Sequence, residues 1–289
     1  MPKELVSAVI TTYKRKHNLL LEAINSVKQQ TYPTIEIIVI DDNGIGTDYQ
    51  IRNEKILSEY GVRYYANKIN SGAQFSRNQG ILHAKGEFIA FLDDDDLWEK
   101  HKIEEQMKLF TTDKVGMVFC DGYIFYGNDM KHLKKYQDFP IFNTVITTEM
   151  ELYRDYIGST TQALVKKECF AKVGLFDLDM PARQDYEMWI RISTEYEIIG
   201  VEKPLFYYRV HDNERITSSI ARQFIGMKNI LHKYKQYYNK NSAAKAKVIM
   251  RLCRFSIEMK KYLQAIGYLF NAFVVNPKCT IQTIKNFQK

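Results

Sequence analysis

Four consecutive aspartates, Asp93, Asp94, Asp95 and Asp96, close an apolar run that reads Phe88-Ile-Ala-Phe-Leu92. Adjacent carboxylates raise one another's pKa unless a cation or a set of donors compensates them. A helix cap on the following Leu97-Trp98-Glu99 would occupy one aspartate, not four. The cluster therefore points to a divalent cation, and all-oxygen ligands favour Mg2+ or Mn2+ over zinc or copper. Asp41 and Asp42 end a second apolar run, where Asp-Asp-Asn-Gly is also good turn chemistry. Two acidic strand ends side by side favour a shared polar site over two unrelated turns. Tyr13 follows the first apolar run, either as an exposed loop aromatic or as a platform on which a base stacks. Arg77 sits in a helical pattern, either hydrated at the surface or set to balance the acids and hold phosphate. Asp185 opens another helical segment, where the helix dipole favours an acid whatever its role. Arg209 and His211 close a later strand-like run, where a lone histidine is usually structural.

The elements that must position these residues alternate between strand and helix through the first hundred residues. Strand-like runs cover 6–12, 35–41, 62–66 and 87–92, with helical patterns over about 18–30, 49–60 and 72–84. Strands so uniformly apolar are covered on both faces, which predicts a mainly parallel sheet with crossover helices. Ligands of such sheets bind beyond the carboxyl ends of the strands. Those ends carry Thr11, Thr12 and Tyr13, then Asp41 and Asp42, then the four aspartates. From about 115 to 210 the pattern is mixed, with strand-like runs at 116–125, 162–165 and 205–210 and a strong helix over 185–194. After about Ser218 it is helical throughout.

The whole-chain totals narrow the function classes. The 289 residues suit one large α/β domain with an appendage. The four cysteines are scattered without a C-x-x-C pair, which predicts neither a zinc site nor a disulfide framework. Met1 runs almost directly into a strand pattern, so no secretory leader is expected, and no apolar run reaches the roughly 18 residues of a spanning helix. The net charge of +7 hides an asymmetry. From Arg222 to Lys289 there are 14 Lys/Arg against one acid, Glu258, a net of +13; the preceding 221 residues hold 27 basic and 33 acidic residues, a net of −6. A basic tail on an acidic body points to a polyanionic partner.

Four ordered motifs resemble those of family 2 glycosyltransferases with the GT-A fold. They are Val9-Ile-Thr-Thr-Tyr-Lys-Arg15, Val39-Ile-Asp-Asp42, Asn70-x-Gly72 with Arg77-Asn78, and Gly86 through Trp98. The resemblance continues through Ile157-Gly-Ser159, Val173 to Asp177, Arg183 to Arg191 and Tyr208-Arg-Val-His211, covering about 5–215 and saying little of the tail. It implies an α/β fold with a mixed, mainly parallel sheet flanked by helices, followed by a C-terminal helical appendage. The implied division is a catalytic domain over 1–218, with a nucleotide-sugar half at 1–98 and an acceptor half at 99–218, and a basic helical region over 219–289. It also implies that Thr11, Tyr13 and Asp42 surround the base, that Asp93 and Asp94 serve the ribose, and that Asp95 is the direct metal ligand. Arg77 stays a candidate donor contact. Arg209 and His211 resemble the family's diphosphate or metal contacts, and Asp185, ahead of Tyr186 and Trp189, its general base. The chain departs from the commonest pattern at Thr11, Lys14 and Gln184, none of which supplies a required side chain.

The resulting expectation is an inverting, Mn2+- or Mg2+-dependent glycosyltransferase. It would move a sugar from a nucleotide diphosphate, with uracil the base and a UDP-sugar the donor that the resemblance implies, to a hydroxyl on a glycan or lipid-linked glycan in surface polysaccharide synthesis. Two other readings stand beside it. A sugar nucleotidyltransferase would want a glycine-rich phosphate loop after the first strand, which is missing. A non-catalytic, membrane-tethered binder would have lost Asp185 or the aspartates, which are present. The tail joins basic residues to apolar ones at helical spacing, Phe255, Met259, Tyr262 and Ile266, then Tyr268, Phe270 and Phe273. That pattern predicts attachment to an anionic membrane surface at the cytoplasmic inner face, or packing against the body or a second copy. Nucleic acid is not expected.

Overall fold

The structure is a computed structural model that describes residues 4–136, 144–211 and 219–287, with the side chains of 286 and 287 left aside. The expected boundary at Ser218 falls outside the described residues. By internal contacts the chain forms two compact units. The first takes in Met1–Ile146, Ile157–Phe176 and Arg191–Asp212; the second takes in Thr147–Tyr156, Asp177–Ile190 and Asn213–Lys289. The second is therefore more than the basic tail, because two upstream segments belong with it.

In the first unit, strands and helices alternate as β1 (Val6–Thr12), α1 (His17–Lys28), β2 (Ile35–Asp41), α2 (Asp48–Leu57), β3 (Arg63–Ala66), α3 (Ala73–His83) and β4 (Phe88–Asp93). The four strands are parallel in the order β3-β2-β1-β4, as continuous apolar runs require. Register sets Thr12 beside Asp41 and Thr11 beside Asp93, so the polar strand ends line one edge. Helix α3 lies so close to β1 that a Cβ on Gly80 would stand 2.2 Å from Val9 Cγ1. Only glycine permits that approach, which brings Arg77 over the strand ends.

The sheet continues through β5 (Leu97–Trp98), α4 (Lys102–Met107), β6 (Val115–Tyr126), β7 (Asp129–Lys135), β8 (Val145–Ile146), β9 (Leu164–Lys166), α6 (Lys167–Val173) and β10 (Glu197–Val210). Strands β9 and β6 extend it beyond β4, β10 runs parallel to β6, and β5 pairs antiparallel with β10. The sheet is thus mixed but mainly parallel through its first half, the expected architecture. The alternative of a helix capped by Asp96 is not what the chain forms: no helix starts at Leu97. Leu97 and Trp98 pair with Tyr207 and Phe206 instead, because Trp98 is buried in the core under the sheet. Strand β10 is longer than its apolar run suggested, since it passes Pro204 through register shifts and resumes pairing at Phe206.

The second unit is helical. It holds α5 (Thr148–Tyr153), most of α7 (Gln184–Ser193), α8 (Ile220–Lys233), α9 (Lys235–Lys240), α10 (Ser242–Glu258), α11 (Tyr262–Val275) and α12 (Pro277–Phe287). Its core gathers Leu152, Tyr186, Ile190, Met227, Ile230, Tyr238, Val248 and Leu252. The apolar stripe read through Phe255, Met259, Tyr262 and Ile266 is not one helix face. Helix α10 ends at Glu258, Lys260 takes a φ of 60°, and α11 starts afresh at Tyr262. Phe255 and Tyr268 pack on the unit's own core, while Tyr262 and Ile266 are exposed.

Candidate active site

The four aspartates separate into distinct jobs once the chain turns after β4. Asp93 ends the strand, and its Oδ1 accepts from Arg77 Nη2 at 2.9 Å. Asp94 is buried; Oδ1 accepts from Arg15 Nε at 2.7 Å, while Oδ2 is buried without a hydrogen-bond partner. Asp95 Oδ2 lies 3.0 Å from Arg15 Nη2 and 3.1 Å from His211 Nε2. Asp96 points into the protein, where Oδ1 accepts from the Arg209 backbone N–H and Oδ2 from Thr161 Oγ1. Asp96 therefore ties the turn to β10 and to the segment before β9.

Electrostatics follow from that geometry. Burial pushes the Asp94 carboxyl up to about 7; Arg15 pulls it back down and Asp95 adds to the rise. Burial raises Asp96 well above its usual range, with Asp95 and Asp93 contributing. Burial also holds the His211 imidazole below its ordinary value against the pull of Asp95, which favours the neutral ring. Neutral imidazole is the form that ligates metals.

Arg15 was not among the candidates, yet its guanidinium spans Asp94 and Asp95 and keeps partial exposure. The signal was a basic residue shortly after the first strand, read only as part of a motif. Arg209 is bound up inside the protein. Expected to contact the donor's phosphates, it is 3% exposed and its guanidinium is committed within the protein. Its Nε donates to the Asp95 backbone O, Nη1 to Gly127 O and Asn128 Oδ1, and Nη2 to Glu22 Oε2. A sequence shows an arginine at a strand end, but not that the turn after β4, the turn after β6 and helix α1 will each engage its guanidinium.

Asp42 also sits differently from expectation. Its Oδ1 accepts from Asn67 Nδ2 and Ser71 N, and its Oδ2 from Asn70 Nδ2 and Gly72 N, at 2.7–3.1 Å. Four donors use the acceptor capacity of one carboxylate. Asp42 thus organises the loop that leads into α3 and carries no spare position for a base N–H. Asp41 is equally occupied, by Asn43, Asn53 Nδ2 and Tyr64 OH. Tyr13 is exposed, with Lys14 Nζ 5.3 Å from its ring centroid. Lys14 holds a left-handed φ of 49°, fixed by its N–H donating to Asn43 Oδ1.

The first unit thus brings together Thr11, Arg77, Asp93, Asp94, Asp95 and His211, with Arg15 added. Among the described residues no three His, Cys, Asp or Glu side chains converge as a complete metal cage. Asp95 and His211 offer an oxygen and a nitrogen 3.1 Å apart. That pair would hold a hard divalent ion only in part, leaving phosphate and water oxygens to complete its shell, as is usual for Mg2+.

Asp185 belongs to the second unit, in the first turn of α7, with Oδ1 accepting from the Tyr186 N–H at 2.8 Å. Just ahead of the helix, Arg183 takes a φ of 60°. Beneath it Tyr186 OH donates to Glu151 O at 2.7 Å, which anchors the start of α7 on α5. Burial drives the Glu151 carboxyl well above its usual range, helped by Asp155 and opposed by the Tyr156 N–H and Arg251. Asp185 as a residue is half-buried.

Comparison with known proteins adds an independent line. A family model described as "Glycosyl transferase family 2" matches residues 7–174. WcaA of Escherichia coli K12, a proposed colanic acid biosynthesis glycosyl transferase, is 28% identical over 246 residues, covering 82% of this chain and 84% of that protein. The E. coli UDP-Glc:alpha-D-GlcNAc-diphosphoundecaprenol beta-1,3-glucosyltransferase WfaP is 27% identical over 231 residues, covering 79% and 86%. Among solved structures, S. aureus TarS 1-349 in complex with UDP-GlcNAc superposes with a TM-score of 0.66 at 17% identity, covering 96% of this chain and 82% of that one. At that identity the likeness speaks for the fold.

Proposed function

This chain belongs to glycosyl transferase family 2, and from that membership we propose that it transfers a sugar from a UDP-sugar to a hydroxyl of a lipid-linked glycan with inversion at the anomeric carbon. The observation that carries the reading is the constellation of Arg15, Asp94, Asp95 and His211 just past the ends of β1, β4 and β10. It sets a guanidinium, two carboxylates and a neutral imidazole where the ligands of a parallel sheet bind. The exposed Tyr13 ring offers a stacking surface for the base, beside Thr11 at the same strand end. Arg77 holds Asp93 in a fixed orientation for the ribose, and Arg15 holds Asp94 in the same way.

Asp95 and His211 would hold Mn2+ or Mg2+, which as a Lewis acid stabilises charge on the leaving diphosphate. Arg15, partly exposed beside that pair, adds a charge-assisted donor for the same phosphates. The bond from the anomeric carbon to the phosphate oxygen breaks as the acceptor oxygen attacks from the opposite face. The electron pair leaves with UDP, and the acceptor proton passes to Asp185 acting as general base. A UDP-α-sugar then yields a β-linkage with no covalent intermediate.

WfaP is named for an acceptor carried on diphosphoundecaprenol, and the same acceptor class here would set the reaction at the inner face of a membrane, in surface polysaccharide synthesis. The test is a thermal-shift panel of nucleotide sugars with and without Mn2+, because a bound donor stabilises the fold by mass action. The matching donor is then used for transfer with the parent and Asp185→Asn. The variant should keep the donor shift and lose about 10²–10⁴-fold in turnover. A product of retained anomeric configuration, or a variant that no longer binds donor, would overturn the assignment.

A further inference from the structure

Helix α11 (Tyr262–Val275) carries no charged residue in its 14 positions. Its inner side is set by Ala265 and Ala272, both buried. On the opposite side Leu263 is 88% exposed, Ile266 62%, Phe270 71% and Val274 68%. At about 100° per residue these four fall within an arc of about 80°, and the helix runs about 21 Å. Large apolar side chains this exposed, contiguous along one helix, mark an interaction surface. Ile257 at the end of α10 and Ile281 in α12 are exposed as well. The surroundings are basic: Lys260 and Lys261 precede the helix, Lys278 and Lys285 follow it, and Glu258 is the region's single acid, paired with Arg254 at 2.8 Å.

Charge selects the occupant. A second copy docking through the same face would bring two regions of net +13 together and set like charges around an apolar seam. An anionic lipid surface meets the lysines with opposite charge and takes the apolar side chains into its interfacial layer. No helix among the described residues is long and apolar enough to cross a bilayer, so the surface is one that lies on the membrane.

We propose that α11 lies flat in the headgroup layer of an anionic membrane, with Leu263, Ile266, Phe270 and Val274 inserted and Lys260, Lys261 and Lys278 on lipid phosphates. The proposal deepens the reading of a lipid-carried acceptor and rests on it for its purpose, since it brings the enzyme to the surface where that acceptor resides. Its physical test is independent of catalysis.

Full-length protein is floated with vesicles of phosphatidylcholine alone and of equal parts phosphatidylcholine and phosphatidylglycerol. The parent should float only with the anionic vesicles and be released by high salt. Leu263→Ser/Phe270→Ser/Val274→Ser should lower vesicle binding at least about tenfold, with an unchanged unfolding midpoint because the three side chains are exposed. Phe270→Trp keeps the test open should that variant fold poorly: its emission should shift to the blue with anionic vesicles. Absence of flotation by the parent, equal flotation of parent and triple variant, or no emission shift overturns the proposal. So does a parent that sediments as a dimer and a triple variant that sediments as a monomer while still floating, which would assign the face to a second copy. Transfer to a short-chain, water-soluble diphosphate acceptor separates the two claims. Flotation without any transfer would sink the reaction and leave the membrane surface standing.

Discussion

Replacing Asp94 with asparagine tests whether the site is held at a cost in stability. The residue is 5% exposed, and burial lifts its pKa from 3.8 to about 7. A carboxyl whose folded pKa exceeds its unfolded value binds its proton more tightly in the fold. Stability therefore falls as pH rises from about 4 to about 7 and stays at the lower level beyond. A rise of that size corresponds to about 4 kcal/mol of destabilisation above pH 7, and to about 2 kcal/mol at pH 5. Asparagine has no charge to bury, and the attraction of Arg15 for the carboxylate is already contained in the raised pKa. The net expectation is a gain of about 1–4 kcal/mol at pH 8 that shrinks towards pH 5. For a chain of this size that is a rise of a few degrees in the unfolding midpoint at pH 8. The measurement is thermal unfolding of parent and Asp94→Asn from pH 5 to 8, with chelator present and no nucleotide. A variant less stable than the parent at pH 8, or a difference that does not change with pH, would refute the view that Asp94 is a buried charge kept for function. The same variant should lose transfer activity, since the carboxylate and its bond to Arg15 are part of the donor constellation.

Three further outcomes follow from particular contacts. Asp95→Asn should abolish the extra thermal shift that Mn2+ adds to UDP while leaving the unliganded midpoint within about 1 kcal/mol; undiminished metal stimulation would move the ligand to another aspartate. Arg209→Met should lower stability by about 3 kcal/mol or more, because it strips donors from Asp95 O, Gly127 O, Asn128 and Glu22. A variant of normal midpoint with a raised KM for donor would restore Arg209 as a phosphate contact. Gly80→Ala should cost about 1–3 kcal/mol by forcing Val9 away from α3, read as a lower midpoint in chemical unfolding; a neutral effect would show that the helix can retreat.

The first four strands and their crossover helices were legible because buried parallel strands leave an unmistakable trace, unbroken apolar runs ending in polar residues. The observed Ile35–Asp41 matches its run residue for residue, and Phe88–Asp93 differs by one position. Local patterning also marked Asp185 as the start of α7. The tail was legible as helical and basic, but not in its division into α10 and α11, which turns on a single left-handed residue, Lys260.

What sequence could not supply was the direction in which each polar group points. Asp42, Asp96 and Arg209 all stand at strand ends that face the site, and by residue type each was a reasonable ligand contact. Tertiary structure engages them, because loops distant in sequence bring donors and acceptors to them: 67–72 for Asp42, Thr161 and β10 for Asp96, helix α1 and the turn after β6 for Arg209. The same long-range closure sets Arg15 against Asp94 and Asp95, 79 and 80 positions away, and His211 against Asp95. Sequence by itself determined which residues reach the edge of the sheet, since that depends on local periodicity. Which of them remain available there was decided only by the fold, because a hydrogen-bonding group spent on a distant partner looks the same in one dimension as one left for a ligand.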